Sequence, residues 1–296
     1  MENAKPPKIE PHGDPWEIFQ GYLLRQTTEF RQVVHWIAKR PSKSKVHRLR
    51  LLSRRLRSAW PILQKISPGK GLKGGEKSLA KLTRILGTIR SLDVSKELLQ
   101  QRLQIEDPKA SLSFLPKTLG KKADRARQTI DKKAWRKKVR KVERYFGPII
   151  GLTPPESNVF AAAVQESTER GSDKVLHSWK SFENKKTLKS LHRLRIALKK
   201  WRYSLEIEVQ CLGGAQREQL LKAKSLQDQL GEIHDLQVVL SCLEAKSLRR
   251  KSKRQGATKR LRKLRNSLRW EIQGKAQDFL LGGRKPLFSL ISTRSP

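Results

Sequence analysis

The sequence predicts an all-α protein made of two related helical halves. Three observations carry that expectation: the apolar residues of each stretch recur at helical spacing, no segment alternates with a period of two, and one basic helical motif occurs twice. At 296 residues the chain is long enough to bury a sizeable core without disulfides or a structural metal.

The first helix opens at Asp14-Pro15-Trp16-Glu17, where a capping carboxylate precedes a proline and an acid of the first turn. Phe19, Tyr22, Leu23, Phe30, Val33, Val34 and Ile37 then keep helical spacing up to about Lys39, and Pro41 ends the helix. A second periodic stretch covers Val46 to about Ile66, and the turn-rich run from Ser67 to Gly75 breaks it. Further helices are predicted over 76–104 and 117–146. Gly147-Pro148 and Pro154-Pro155 bracket the boundary between halves, and helices near 157–182, 185–211, 215–247 and 251–280 follow. The resulting division is a tail over 1–14, a first helical repeat over 15–148, a second over 156–282 and a tail over 283–296, with about four long helices per repeat.

Charge narrows the function. Lys and Arg number 66 against 27 acids, a net charge of +39, and the excess is spread over both halves instead of being gathered in a tail. A folded body holding that charge against its own repulsion points to an anionic partner, whether nucleic acid, an acidic membrane surface or an inorganic polyanion. Cys211 and Cys242 have no metal-knuckle or disulfide spacing and read as apolar thiols. The N-terminal residues lack the apolar stretch of a secretory signal, and no segment is long and uncharged enough to span a bilayer, so a cytoplasmic location is the expectation.

The repeat is the most informative feature. Val46-His47-Arg48-Leu49-Arg50-Leu51-Leu52-Ser53-Arg54-Arg55-Leu56-Arg57 aligns with Leu191-His192-Arg193-Leu194-Arg195-Ile196-Ala197-Leu198-Lys199-Lys200-Trp201-Arg202, and every basic position recurs as basic. Downstream, Leu86-Gly87 with Arg90-Ser91-Leu92-Asp93-Val94 matches Leu230-Gly231 with His234-Asp235-Leu236-Gln237-Val238. At about 100° per residue, His47, Arg50, Arg54 and Arg57 fall within about 80° of one another, with Leu49, Leu52, Leu56 and Ala59 nearly opposite. His192, Arg195, Lys199 and Arg202 obey the same geometry.

Most charge runs are solvated faces, and that account suffices for 132–144 and 249–265. The two histidine stripes differ, because a solvated face mixes signs to form i, i+4 pairs and neither stripe contains an acid. Arginine grips phosphate oxygens with a planar fork, lysine adds a mobile charge, and histidine becomes cationic when an anion raises its pKa. A linear anion with charge on every unit matches such a ladder.

At His47–Arg57, Leu86–Val94, His192–Tyr203 and Leu226–Val238 the sequence resembles the CHAD family, the conserved histidine α-helical domain, and the resemblance extends from about Trp16 to about Leu280. It implies one two-lobed domain of two pseudo-twofold-related four-helix bundles, with a basic central pocket or pore that binds inorganic polyphosphate, and an association with polyphosphate granules. Carried over by position, it implies His47, Arg50, Arg54 and Arg57 from the first copy and His192, Arg195, Lys199 and Arg202 from the second. Arg90 and His234 are added as phosphate contacts near a helix kink or end, whereas Asp93 and Asp235 read as caps or salt-bridge partners. Two departures are visible: Ser91 stands where an aspartate is usual, and Lys199-Lys200-Trp201-Arg202 replaces a more arginine-rich run.

Enzyme readings fare worse. Glu206-Ile207-Glu208 begins like the Glu-x-Glu-x-Lys strand of the triphosphate-tunnel enzymes that accompany many family members, but it ends in Gln210 within a helical stretch. Gly71–Ser78 approaches a phosphate-binding loop, yet Glu76 occupies the required glycine position and no strand precedes it. His12, His35 and His177 have no acids or thiols at ligand spacing, so neither metal nor cofactor is implied. The expectation is therefore a non-catalytic polyphosphate binder. The alternative is an RNA- or DNA-binding protein, which would need exposed aromatic residues beside basic ones or a helix fit for a groove.

Overall fold

The computed structural model describes residues 13–107, 110–131, 133–254 and 256–292. Among them there are helices and turns and no strand. The long helices are α1 (Pro15–Lys39), α2 (Lys43–Ile66), α3 (Gly75–Glu106), α7 (Ser157–Lys185), α8 (Leu188–Leu212), α9 (Arg217–Glu244) and α11 (Thr258–Ser292). Shorter ones are α4 (Phe114–Gln128), α5 (Lys133–Glu143), α6 (Phe146–Ile150) and α10 (Lys246–Arg254).

Local chemistry explains the starts. The Asp14 carboxylate accepts from the Trp16 amide at 3.3 Å, Ser42 caps α2 by accepting from the Lys45 amide, and Thr187 and Ser190 form a reciprocal capping box at the head of α8. At the head of α3, Gly74 takes a left-handed backbone with φ +88°, and Gly75 lies against the Trp60 indole of α2, where an added Cβ would sit 1.8 Å from the ring.

Two predicted elements divide differently. The stretch 117–146 is three helices, α4, α5 and α6, and the last predicted helix is a pair, α10 and α11, separated at Gly256 with φ +61°. α11 continues to Ser292, past residue 282 where a tail was expected to begin. Most of the expected N-terminal tail, residues 1–12, and the final residues 293–296 lie outside the described residues.

The apolar side chains form two cores, and these are not the two sequence halves. The first gathers α1, α2, the front of α3, α5 and α6, but also Phe160 and Val164 of α7 and Ile207 and Cys211 of α8. The second gathers α9, α10 and α11 with the remainder of α7 and α8, and also Leu99 of α3 and Leu115 and Leu119 of α4. Three long helices, α3, α7 and α8, therefore feed both cores and tie them together. The pairings repeat between halves: α1 packs on α2 and α8 as α7 packs on α8 and α2, and α2 with α3 is matched by α8 with α9. One consequence decides the site, because α2 and α8, the bearers of the two basic stripes, pack against each other.

Replacing Gly75 with alanine drives a methyl group into the Trp60 ring, and overpacking of this kind costs about 1–3 kcal/mol. Urea denaturation of Gly75→Ala should show a lower midpoint with unchanged slope; a wild-type midpoint would show that the α2–α3 junction has room.

Candidate functional site: a cationic cluster between α2 and α8

The buried face of each stripe helix is where periodicity placed it. Leu49, Leu52, Leu56 and Ala59 of α2 and Leu194, Leu198, Trp201 and Leu205 of α8 are all fully buried. This anchoring leaves the basic residues no route into the cores and turns them toward the helix opposite. Arg50 and Arg54 consequently lie close enough to Arg195 and Lys199 to repel them. His234 of α9 joins from the side, within the field of Arg195, His192, Lys199 and Arg50, with its ring centroid 5.1 Å from that of His192. His47 and Arg90 extend the group along α2 and α3.

The electrostatic state of this cluster is unusual. Burial first, and then neighbouring cations, push Lys199 from its ordinary 10.5 down to about 6, His234 down to about 3 and Arg50 down to about 9. Burial also lowers Arg195, to about 10, against the opposing pull of Asp235, and it lowers Arg54, although the Tyr203 hydroxyl supports that guanidinium. His47 and His192 are held below their ordinary value by partial burial and by arginines, Arg90 for the first and Arg195 for the second. At neutral pH the arginines remain charged and Lys199 is largely neutral.

Among the described residues no carboxylate forms an ion pair with Arg50, Arg54, Arg195 or Lys199. Asp235 is the acid whose charge the cluster feels, and burial raises its pKa even though Arg195, Arg90 and Arg50 pull it down. Arg50 Nε, Arg57 Nε, Arg195 Nε and His234 Nδ1 are buried without a hydrogen-bond partner. Unpaired buried donors are rare because each forfeits its hydration, so several converging on one place define a site short of acceptors.

Arg54, Arg57 and Lys199 also line a cavity of about 610 Å³ between α2, α3, α7 and α8. Its walls add residues outside the two stripes: Lys65 from α2, Arg170 and Lys174 from α7, and Lys200 and Tyr203 from α8. The spacing of Arg170 and Lys174 by four residues puts both on one face of α7, but at the offset of the repeat only Arg170 has a basic counterpart, Arg25 of α1, while Lys174 falls opposite Glu29. Acids sit here too. Glu76 lies 3.7 Å from Arg57, and Glu166 pairs with both Lys65 and Arg170.

Two further placements differ in kind. Arg202 is engaged inside the protein, donating to Gln227 at 2.9 Å, lying 3.4 Å from Glu206 and covering the Tyr203 ring at 4.1 Å. Arg90 lies 3.9 Å from Glu97 while still contributing to the field at His47. Arg90 and His234 lie well inside α3 and α9 and not at a helix end. Gly87 faces Arg50: a Cβ there would lie 3.6 Å from Arg50 Nε, an ordinary contact. Asp93 is a salt-bridge partner and not a cap, fully buried and accepting from Arg127 at 2.6 Å.

A family model for the CHAD domain matches residues 18–244. The chain belongs to the CHAD domain family. Among solved structures, the CHAD domain of the plant Ricinus communis is similar, with 20% identity, a TM-score of 0.71, and 96% of this chain and 95% of that one covered. PptA from Streptomyces chartreusis is also similar, at 16% identity and a TM-score of 0.63, covering 93% of this chain and 98% of that one. At these identities the two likenesses show the CHAD fold and nothing finer. No curated protein sequence matches the chain. Among the described residues no group of three or more His, Cys, Asp or Glu side chains is placed to hold a metal ion, and no helix is long and apolar enough to cross a membrane.

The depressed Lys199 predicts how stability follows pH. Its folded pKa lies below the unfolded value, so the unfolded chain binds more protons between about pH 6 and 10.5, and stability must rise with pH across that window. The melting midpoint of the anion-free protein should increase from pH 6 to pH 9. Lys199→Met should raise the midpoint at pH 7 and flatten that rise; a variant as pH-dependent as wild type would show Lys199 to be an ordinary solvated lysine.

Proposed function

We infer that this CHAD protein is a non-catalytic binder of inorganic polyphosphate, held in the basic space between α2 and α8. The observation that carries the reading is the convergence of two acid-free cationic stripes whose buried donors lack acceptors. A phosphate chain supplies what is missing: negative charge on every unit, and oxygens on all sides to accept from Arg50, Arg195 and His234. Binding also returns Lys199 and the histidines toward their charged forms, so the ligand relieves a repulsion present in the free protein.

Arg54 and Lys199 belong both to the cluster and to the adjoining cavity, which supports one continuous path in which an extended chain meets Arg50 and Arg195 and then Arg57, Lys200 and Lys174. In this reading the halves are related by a pseudo-twofold axis near the α2–α8 crossing, which the repeated helix pairings support. Association with polyphosphate granules in the cytoplasm follows as its cellular setting. Arg202 is a positioning residue in this scheme, holding Tyr203 beside Arg54.

Hydrogen bonds to charged groups contribute about 1.5–3 kcal/mol each, so replacing Arg50, Arg54, Arg195 and Lys199 together with alanine should weaken polyphosphate binding by about a hundredfold or more. Four alanines among the basic residues of 249–265 should cost less than about fivefold at physiological salt, because exposed charges are screened. Equal losses would reduce the interaction to diffuse electrostatics. In competition, duplex DNA or single-stranded RNA at equal phosphate concentration should leave long-chain polyphosphate bound; displacement would favour a nucleic-acid binder instead.

A further inference from the structure

Lys199 stands among stronger bases. Arg50 and Arg54 of α2 and Arg195 of its own helix face it, and each opposes its charge. Asp235 of α9 supports that charge, but less than the arginines oppose it. His192 and His234, both held below their ordinary pKa, complete the cluster side, and Arg170 and Lys174 of α7 add positive charge on the cavity side, the first paired with Glu166. Among the described residues no hydrogen bond or ion pair holds the amine. Arginine is the more basic by about two units or more, so of four cations sharing one space the lysine yields its proton first. Burial and then the arginines bring Lys199 from 10.5 to about 6, and at neutral pH it is a free amine.

The amine can be reached. Lys199 is half-buried and lines the cavity of about 610 Å³ between α2, α3, α7 and α8, whose wall includes the apolar Pro61, Ala163 and Ile196. A small uncharged molecule enters such a space without the cost that a charge would meet. Donors for an anionic product are already in place, since Arg50 Nε and Arg195 Nε are buried and lack an acceptor. Lys200 makes the contrast: it is exposed, and Glu76 supports its charge.

An uncharged, reachable lysine beside other cations is a nucleophile toward carbonyl carbon. The surroundings select which product can stay. An imine formed from an aldehyde takes up a proton and restores the repelled cation. An acyl group leaves a neutral amide that gives the arginines no charge to hold. Carbon dioxide alone of these yields an anion, whose two oxygens accept from guanidinium groups.

We propose that Lys199 is a modification site for carbon dioxide, carried reversibly as a carbamate on Nζ and held by Arg50 and Arg195. The Nζ lone pair bonds to the carbon, one carbon–oxygen π pair moves onto oxygen, and the nitrogen loses a proton to solvent. Amine and carbon dioxide thus become a carbamate anion and a proton, with no change of oxidation state. The adduct turns a repelled group into the counter-ion that the cluster lacks.

The test is trapping with triethyloxonium, which ethylates a carbamate oxygen and fixes the adduct, on the full chain in bicarbonate at about pH 8, followed by peptide mass mapping. Lys199 should carry the adduct at least about tenfold more than any exposed lysine, whose free-amine fraction at that pH is below about 1%. The chain's α-amine, about half deprotonated there, should also be labelled and shows that trapping worked. Arg50→Gln with Arg195→Gln should lower the occupancy of Lys199 at least about fivefold, since the free amine and its adduct both lose support. Bicarbonate should raise the melting midpoint of the wild type above that in chloride at equal pH and ionic strength, and should leave Lys199→Met unchanged. Labelling of the α-amine with none on Lys199 would overturn the proposal, as would unchanged occupancy in the double glutamine variant. So would an equal bicarbonate shift in Lys199→Met, which would mean a bound ion and no covalent adduct. No phosphate enters the experiment, so its outcome is independent of the polyphosphate reading.

Discussion

The structure depends on one constraint: α2 and α8 must bury their leucine faces, and in doing so they press their cationic faces toward each other. Burial of Leu49, Leu52 and Leu56 on one helix and Leu194 and Leu198 on the other fixes the rotation of both. Once rotation is fixed, Arg50, Arg54, Arg195 and Lys199 have no choice of neighbour. The apolar cores hold them in place, and burial first and neighbouring cations second depress Lys199 and Arg50. The resulting stress lies where an anion is proposed to bind, which couples stability and function in opposite senses.

The two cores make that stress sustainable. Because α3, α7 and α8 contribute to both, the charges cannot be drawn apart without opening packed interfaces. Close backbone approach reinforces this at Gly171, whose Cβ would lie 2.9 Å from Trp201 and which lets α7 sit tightly on α8.

The sequence made legible whatever depends on helical phase. The all-α fold, the buried faces of α2 and α8 and the stripe residues His47 to Arg57 and His192 to Lys199 all follow from spacing by three and four, and the structure places them accordingly. What depends on tertiary neighbours was not legible. Arg202 has the same phase as Lys199, yet Gln227 and Glu206 engage it, and no local pattern announces those partners. Arg170 and Lys174 reach the cavity only because α7 crosses to the first core. The division of 117–146 into three helices was hidden because neither break, at Thr129–Asp131 or at Arg144-Tyr145, carries a glycine or proline to mark it. The basic run 249–265 had the composition of a solvated face, and only the fold-back at Gly256 makes a groove of it.

Arg50, Arg54, Arg195 and Lys199 have no carboxylate paired with them among the described residues, and a phosphate chain is proposed to supply the missing acceptors. A crystal structure of the protein with a short linear polyphosphate tests this most directly. The account predicts phosphates between the two stripes, within hydrogen-bond distance of Arg50 and Arg195 and accepting from the nitrogens now unpartnered. Phosphates found only on the outer basic surfaces, with the central arginines still lacking an acceptor, would contradict it.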